Sequence, residues 1–110
     1  MVGCRHNAKN SLDKNYLFLA QKRGAKIQAE SKVYDVQTRG PEDGSQGYKI
    51  FWRNSLSFLK GKGTYTCKGI VFAGGVLGTV PLLLKLREKS LPNLSRKAGC
   101  HIRTNSESLS

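Results

Sequence analysis

Gly69-Ile70-Val71-Phe72-Ala73-Gly74-Gly75-Val76-Leu77-Gly78-Thr79, running on into Leu82-Leu83-Leu84-Lys85-Leu86, is the stretch on which the reading of this chain turns. Residues 69–73 form a continuous apolar run, which predicts a strand buried on both faces. Gly74, Gly75 and Gly78 then predict a tight turn, and the leucines predict a helix with Pro81 in its first turn. Lys85, Arg87 and Lys89 fall towards the end of that helix, where cations complement its dipole. A buried strand, a glycine turn and a helix over 69–89 place backbone amides and a helix N-terminus at a sheet edge. Phosphate or a flat cofactor fits that geometry. The turn lacks Gly-x-Gly-x-x-Gly spacing, so the need of a tight turn for small residues accounts for it equally well.

Upstream, the alternation of Tyr48, Ile50 and Trp52 with Lys49, Phe51 and Arg53 predicts a strand, and 64–67 predicts another. Ile27, Ala29, Val33 and Val36 predict two short strands at 26–29 and 32–38. The connection at 39–47 holds three glycines and a proline and reads as turns. Successive strands with tight connections imply an antiparallel meander within 26–68. Before it, Leu12, Tyr16, Leu19 and Ala20 share one face of a helix at 11–23. Ser11 or Asn10 is its expected N-cap and Gly24 its C′ residue. Residues 90–110 read as an irregular tail. The class is α+β, and no internal repeat is present.

At 110 residues the chain has room for one small domain. With 38% hydrophobic and 24% charged residues it is neither collagen-like nor strongly disordered, and three cysteines do not make a disulfide scaffold. Cys4, Cys67 and Cys100 are expected to be free thiols. Cys4, His6, Cys100 and His101 lack the two-residue spacer of a zinc knuckle. No signal-peptide core occupies the start, so a cytoplasmic location is the default expectation. The apolar stretch 69–84 is broken by four glycines and Pro81 and falls short of the ~20 residues of a bilayer span.

Nineteen Lys and Arg against seven Asp and Glu give a net charge of +12 and a pI near 10.0. Such a balance suggests a polyanionic partner. Trp52, Phe51 and Tyr48 beside Lys49 and Arg53 could stack on bases, which makes a small nucleic-acid-binding module one alternative. The cations are scattered, with no basic run beyond two residues, so nucleic acid is not the expected partner.

Three stretches, in order, carry a resemblance. Gly3-Cys4-Arg5-His6-Asn7-Ala8-Lys9-Asn10-Ser11-Leu12-Asp13-Lys14-Asn15-Tyr16-Leu17 resembles a segment of the FAD-dependent glucose–methanol–choline oxidoreductases, in the branch that contains the bacterial cholesterol oxidases. Val71-Phe72-Ala73-Gly74-Gly75-Val76-Leu77-Gly78-Thr79 resembles the late strand and turn of their flavin domain. Leu91-Pro92-Asn93-Leu94-Ser95 and Arg103-Thr104-Asn105-Ser106-Glu107 resemble the stretch that follows. The matches span almost the whole chain. Between the helix and Leu91 this chain has only Lys89-Ser90, where relatives tend to carry an extra glycine.

The resemblance implies a partial FAD-binding domain over 1–110, an α+β piece of a Rossmann-like α/β domain with an inserted meander. It implies FAD as cofactor, an alcohol or sterol-like substrate, and hydride transfer from a CH–OH group to the flavin. Val33 would present backbone to the adenine end of FAD. Ala73, Gly74 and Gly75 would form the close-approach turn, and Asn105 would lie near the flavin. No catalytic residue is implied within this stretch. Relatives carry the Gly-x-Gly-x-x-Gly unit upstream and the proton-handling His and Asn downstream, so Met1 reads as an internal methionine and the piece alone is expected to be inactive. A truncated reading frame without function is the remaining alternative.

Overall fold

The computed structural model describes residues 5–6, 8–56 and 61–103. Their elements, in chain order, are α1 (Tyr16–Lys22), β1 (Ser31–Thr38), β2 (Tyr48–Asn54), β3 (Lys62–Cys67) and α2 (Val76–Lys89). The strands form one antiparallel sheet in the order β1-β2-β3, the expected meander. Two helices and this sheet make an α+β arrangement.

Register explains which side chains meet. Val33 lies opposite Trp52, and Trp52 opposite Gly63. The register shifts between Val33 and Asp35. Tyr34 is therefore the extra residue of a bulge, and Val33 and Val36, three apart, share the face of Ile50 and Trp52. The Trp52 indole lies over Gly63, where an added Cβ would come within 2.8 Å of its ring, and stacks on Tyr65 with centroids 6.2 Å apart. The Tyr65 hydroxyl donates to Gln28 Oε1.

Among the described residues the core is Val36 and Leu86, each 1% exposed, where α2 crosses β1. Ser90 Oγ, at the end of α2, donates to Asp35 Oδ1 at 2.7 Å. The tail folds back as well: Arg87 Nη1 donates to the carbonyls of Arg96 at 3.1 Å and Ala98 at 3.4 Å. Asn93 Nδ2 donates to the Glu42 carbonyl at 3.2 Å, tying the tail to the β1–β2 connection.

Four expectations are corrected. Residues 26–29 form no strand; β1 begins at Ser31, and the carbonyl of Ala29 accepts from Ser31 Oγ at 3.0 Å instead of a ladder bond. Residues 69–73 also form no strand, and Val71 is 89% exposed. A parallel strand needs neighbours on both sides, and this sheet is completed by its own three strands. The first helix begins at Tyr16 rather than at 11, because 12–15 close as turns and Asn15 Oδ1 accepts the Tyr16 amide. Finally, α2 begins at Val76, so Gly78 is helical and Pro81 is the sixth residue rather than a first-turn one. The Leu77 carbonyl thereby loses its intrahelical donor, at a residue exposed to water.

Gly24 closes α1 at φ 92°, as its place after Arg23 requires. In the 39–47 connection, Gly40, Gly44 and Gly47 all take positive φ. Asp43 there accepts the Ser45 amide at 2.9 Å, and the amide and hydroxyl of Ser45 hold its carboxyl below the usual range. Because the folded value lies below the unfolded one, this contribution is present above pH about 4 and is lost as pH falls through the folded value. Melting curves of the wild type and Asp43→Asn are expected to differ at pH 5 and to converge at the acid end. A constant gap across that range would contradict the assignment.

A candidate groove between the sheet and the second helix

Packing α2 across β1 leaves a groove of about 750 Å³ beside the extended segment 70–74. Its size falls in the range of small-molecule pockets. Val33 lines it from the bulged strand, and Ala73 and Gly74 line it from the segment before α2. The fold thus brings together residues some 40 positions apart that composition and spacing could not connect. Gly75 lies just beyond the lining as the N-cap of α2, and Asn105 lies outside the described residues.

The local backbone explains why the segment is glycine-rich. Gly75 sits at φ 79°, where an L side chain is strained, and no side chain caps the helix. A Cβ on Gly75 would meet nothing within 4 Å, and one on Gly74 only Thr79 Oγ1 at 3.5 Å. Space therefore lies open next to the backbone, and the first amides of a 14-residue helix adjoin it. Apolar walls come from Ile50, Ile70, Phe72 and Leu82, while Lys32, Arg53 and Lys85 add cations. An anionic ligand with a flat apolar part suits such a lining. The group implied by the sequence resemblance, FAD, has that character, and the open glycine backbone is compatible with it.

Lys32, Arg53, Lys85 and Thr79 were not among the residues singled out from the sequence. Lys85 and Thr79 reach the groove through the early start of α2, and Lys32 through its place beside the bulge. Only the position of Lys32 next to Val33 carried a hint of this.

The aromatic and basic cluster at 48–53 is divided by the fold. Ile50 and Trp52 share one face, while Lys49 lies over the Phe51 ring at 5.2 Å on the other, with Tyr34 6.3 Å from Phe51. Trp52 packs against its neighbouring strand, as the alternative reading of this motif has it. Among the described residues no three His, Cys, Asp or Glu side chains come together as a metal site. His6, Cys100 and His101 are exposed, and Cys4 lies outside the described residues. Among the described residues no helix is long and apolar enough to cross a membrane.

Comparison with known proteins gives a consistent direction. The chain is 46% identical over 112 residues to a cholesterol oxidase of Acinetobacter baumannii, and the alignment covers 99% of this chain. It is 40% identical over 110 residues to the cholesterol oxidases of two strains of Mycobacterium tuberculosis, again across 99% of its length. The chain spans about a fifth of the length of these curated relatives, 20% and 18% respectively. No family model matches the chain. No solved structure matches it either.

Proposed function

We propose that this chain is a segment of an FAD-dependent oxidoreductase of the glucose–methanol–choline type, acting on the CH–OH group of an alcohol or sterol-like substrate. The observation that carries the reading is the similarity to cholesterol oxidases across 99% of the chain. The convergence of Val33, Ala73 and Gly74 on one groove supports it independently of identity. So does the incomplete burial of the chain. Its accessible surface of 9759 Å² compares with about 6000 Å² for a compact monomer of this mass, as a piece lacking its packing partners would have.

Within the groove the roles follow from chemistry. The Val33 backbone would meet the adenine end of FAD through main-chain hydrogen bonds. Ala73, Gly74 and Gly75 would let the cofactor approach the backbone, with amides as donors. Lys32 and Lys85 would offset phosphate charge, and Asn105 would lie near the flavin. FAD, when bound, supplies the hydride acceptor. The segment itself contributes no proton-transfer residue, so by itself it would hold cofactor without turnover.

A titration of the chain with FAD, followed by flavin fluorescence, tests this. Binding is expected, with ADP competing for the adenine end. Gly74→Ala is expected to weaken it at least ~10-fold, equivalent to about 1.4 kcal/mol. The fold should survive, since the new Cβ meets only Thr79 Oγ1 at an ordinary distance. A flavin-free, colourless parent enzyme would remove the reading altogether.

A further inference from the structure

The helix α1 is the least partnered element of the chain. It packs against neither the sheet nor α2. Leu12, Tyr16 and Leu19, spaced to share one face, are all exposed, Tyr16 by 72% and Leu19 by 51%. Leu17 and Phe18 are exposed as well. An apolar stripe of this kind on a helix is ordinarily a buried face. Its rim is cationic: Lys9, Lys14, Lys22, Arg23 and Lys26 stand against the single carboxylate of Asp13. Lys22 covers the Phe18 ring with its ammonium 4.5 Å from the centroid.

Three occupants fit an apolar stripe: a second copy, a lipid surface, or the rest of a larger protein. A second copy would bring another chain of +12 against the first, and like charge opposes that pairing. A lipid surface would leave unexplained the roughly four-fifths of the relatives that lies outside the matched segment. We propose that the α1 face is a docking surface for that remainder of a cholesterol oxidase-like flavoenzyme, seated on an apolar patch rimmed with carboxylates. The inference rests on the functional reading above. It adds the location of the contact and the charge of the surface that receives it, an acidic one complementary to the lysine rim.

The test uses the full chain and a form of the Acinetobacter baumannii cholesterol oxidase from which the aligned segment is deleted. Sedimentation is expected to show a one-to-one assembly that weakens as salt rises. The double substitution Tyr16→Ser/Leu19→Ser is expected to weaken assembly at least ~10-fold, with the circular dichroism of the sheet unchanged because α1 does not pack on it. Equal assembly of variant and wild type would overturn the docking face. If that assembly still takes up FAD, the oxidoreductase reading stands. Assembly with the expected loss in the variant but without FAD uptake would keep the face and overturn the flavin reading. Self-association of the chain, or binding to phosphatidylserine vesicles, that is abolished by the same substitutions while assembly is not, would also overturn the proposal. Should the deleted form not fold, hydrogen exchange on the intact bacterial enzyme decides: the aligned helix is expected to be protected, and exchange at free-peptide rates overturns the docking.

Discussion

Leu86→Ala is expected to detach α2 from the sheet and, with it, to erase the groove. Leu86 and Val36 are the fully buried side chains among the described residues, and they meet at the crossing of α2 and β1. Truncating a buried leucine costs about 2–5 kcal/mol through lost burial and the cavity left behind. Whole domains are stable by only about 5–15 kcal/mol. A chain with so small a core lies at the low end of that range, so one substitution removes much of what it has. The Ser90–Asp35 hydrogen bond cannot hold the helix in place by itself, since such a bond contributes about 0.5–1.5 kcal/mol, rising to about 1.5–3 when one partner is charged. Urea unfolding followed at 222 nm is expected to show early loss of helix. Leu86→Met, nearly conserving volume, is expected to cost less than about 1.5 kcal/mol. Equal midpoints for Leu86→Ala and the wild type would show that α2 is held by something other than this crossing.

Gly47→Ala is expected to open the end of the meander where all three strands converge. The Gly47 amide donates to the Gly44 carbonyl and its own carbonyl accepts from Arg39, both at 2.9 Å, which closes the β1–β2 connection. At φ 86° an L residue pays a left-handed penalty of about 1–2 kcal/mol. The larger effect is steric. The new Cβ would stand 2.4 Å from the Cys67 carbonyl oxygen, a backbone atom of β3 that cannot swing aside. Relief requires β3 to move away from β2, breaking the pairing of Tyr48 with Cys67. Gly40→Ala is the control: it has a similar φ of 82°, but its Cβ would meet the Gln46 side chain, which can rotate away. The difference between the two variants in thermal midpoint isolates the backbone clash. Equal midpoints would place Cys67 on a more yielding edge than its register implies.

These two sites differ in how much of them the sequence could disclose. The glycines at 40, 44 and 47 marked the connection without structure, because left-handed backbone has few other residues to use. The meander order followed from alternation and from short connections. Leu86 was one leucine among five between 77 and 86, and nothing local distinguishes the one that meets Val36. Alternation also failed where pairing decides the outcome. Residues 26–29 alternate and 69–73 are apolar, yet a strand exists only if a neighbour accepts its hydrogen bonds, and neighbours are a property of the whole sheet. Pro81 misplaced the start of α2 for a related reason. Its preference for a first turn is a tendency, and an exposed turn of helix tolerates the missing donor. In the groove, Val33, Ala73 and Gly74 came from resemblance and met in space, whereas Lys32, Arg53 and Lys85 were legible only once α2 lay across β1.

The bulge at Tyr34 makes the length of β1 a matter of parity. With one extra residue, Val33 and Val36 face the same way although an odd number of residues separates them. Deleting Tyr34 would restore even alternation and force a choice between the two halves of the strand. If the half from Asp35 onward kept its register, the half before it would slide by one, and Lys32 would turn to the face that Val33 holds now. Insertions and deletions at this point in related sequences would therefore not be neutral changes of loop length. Each would exchange a valine for a lysine at the mouth of the groove, so descent with a single-residue gap here would alter what the groove can hold while leaving every other residue of the strand unchanged.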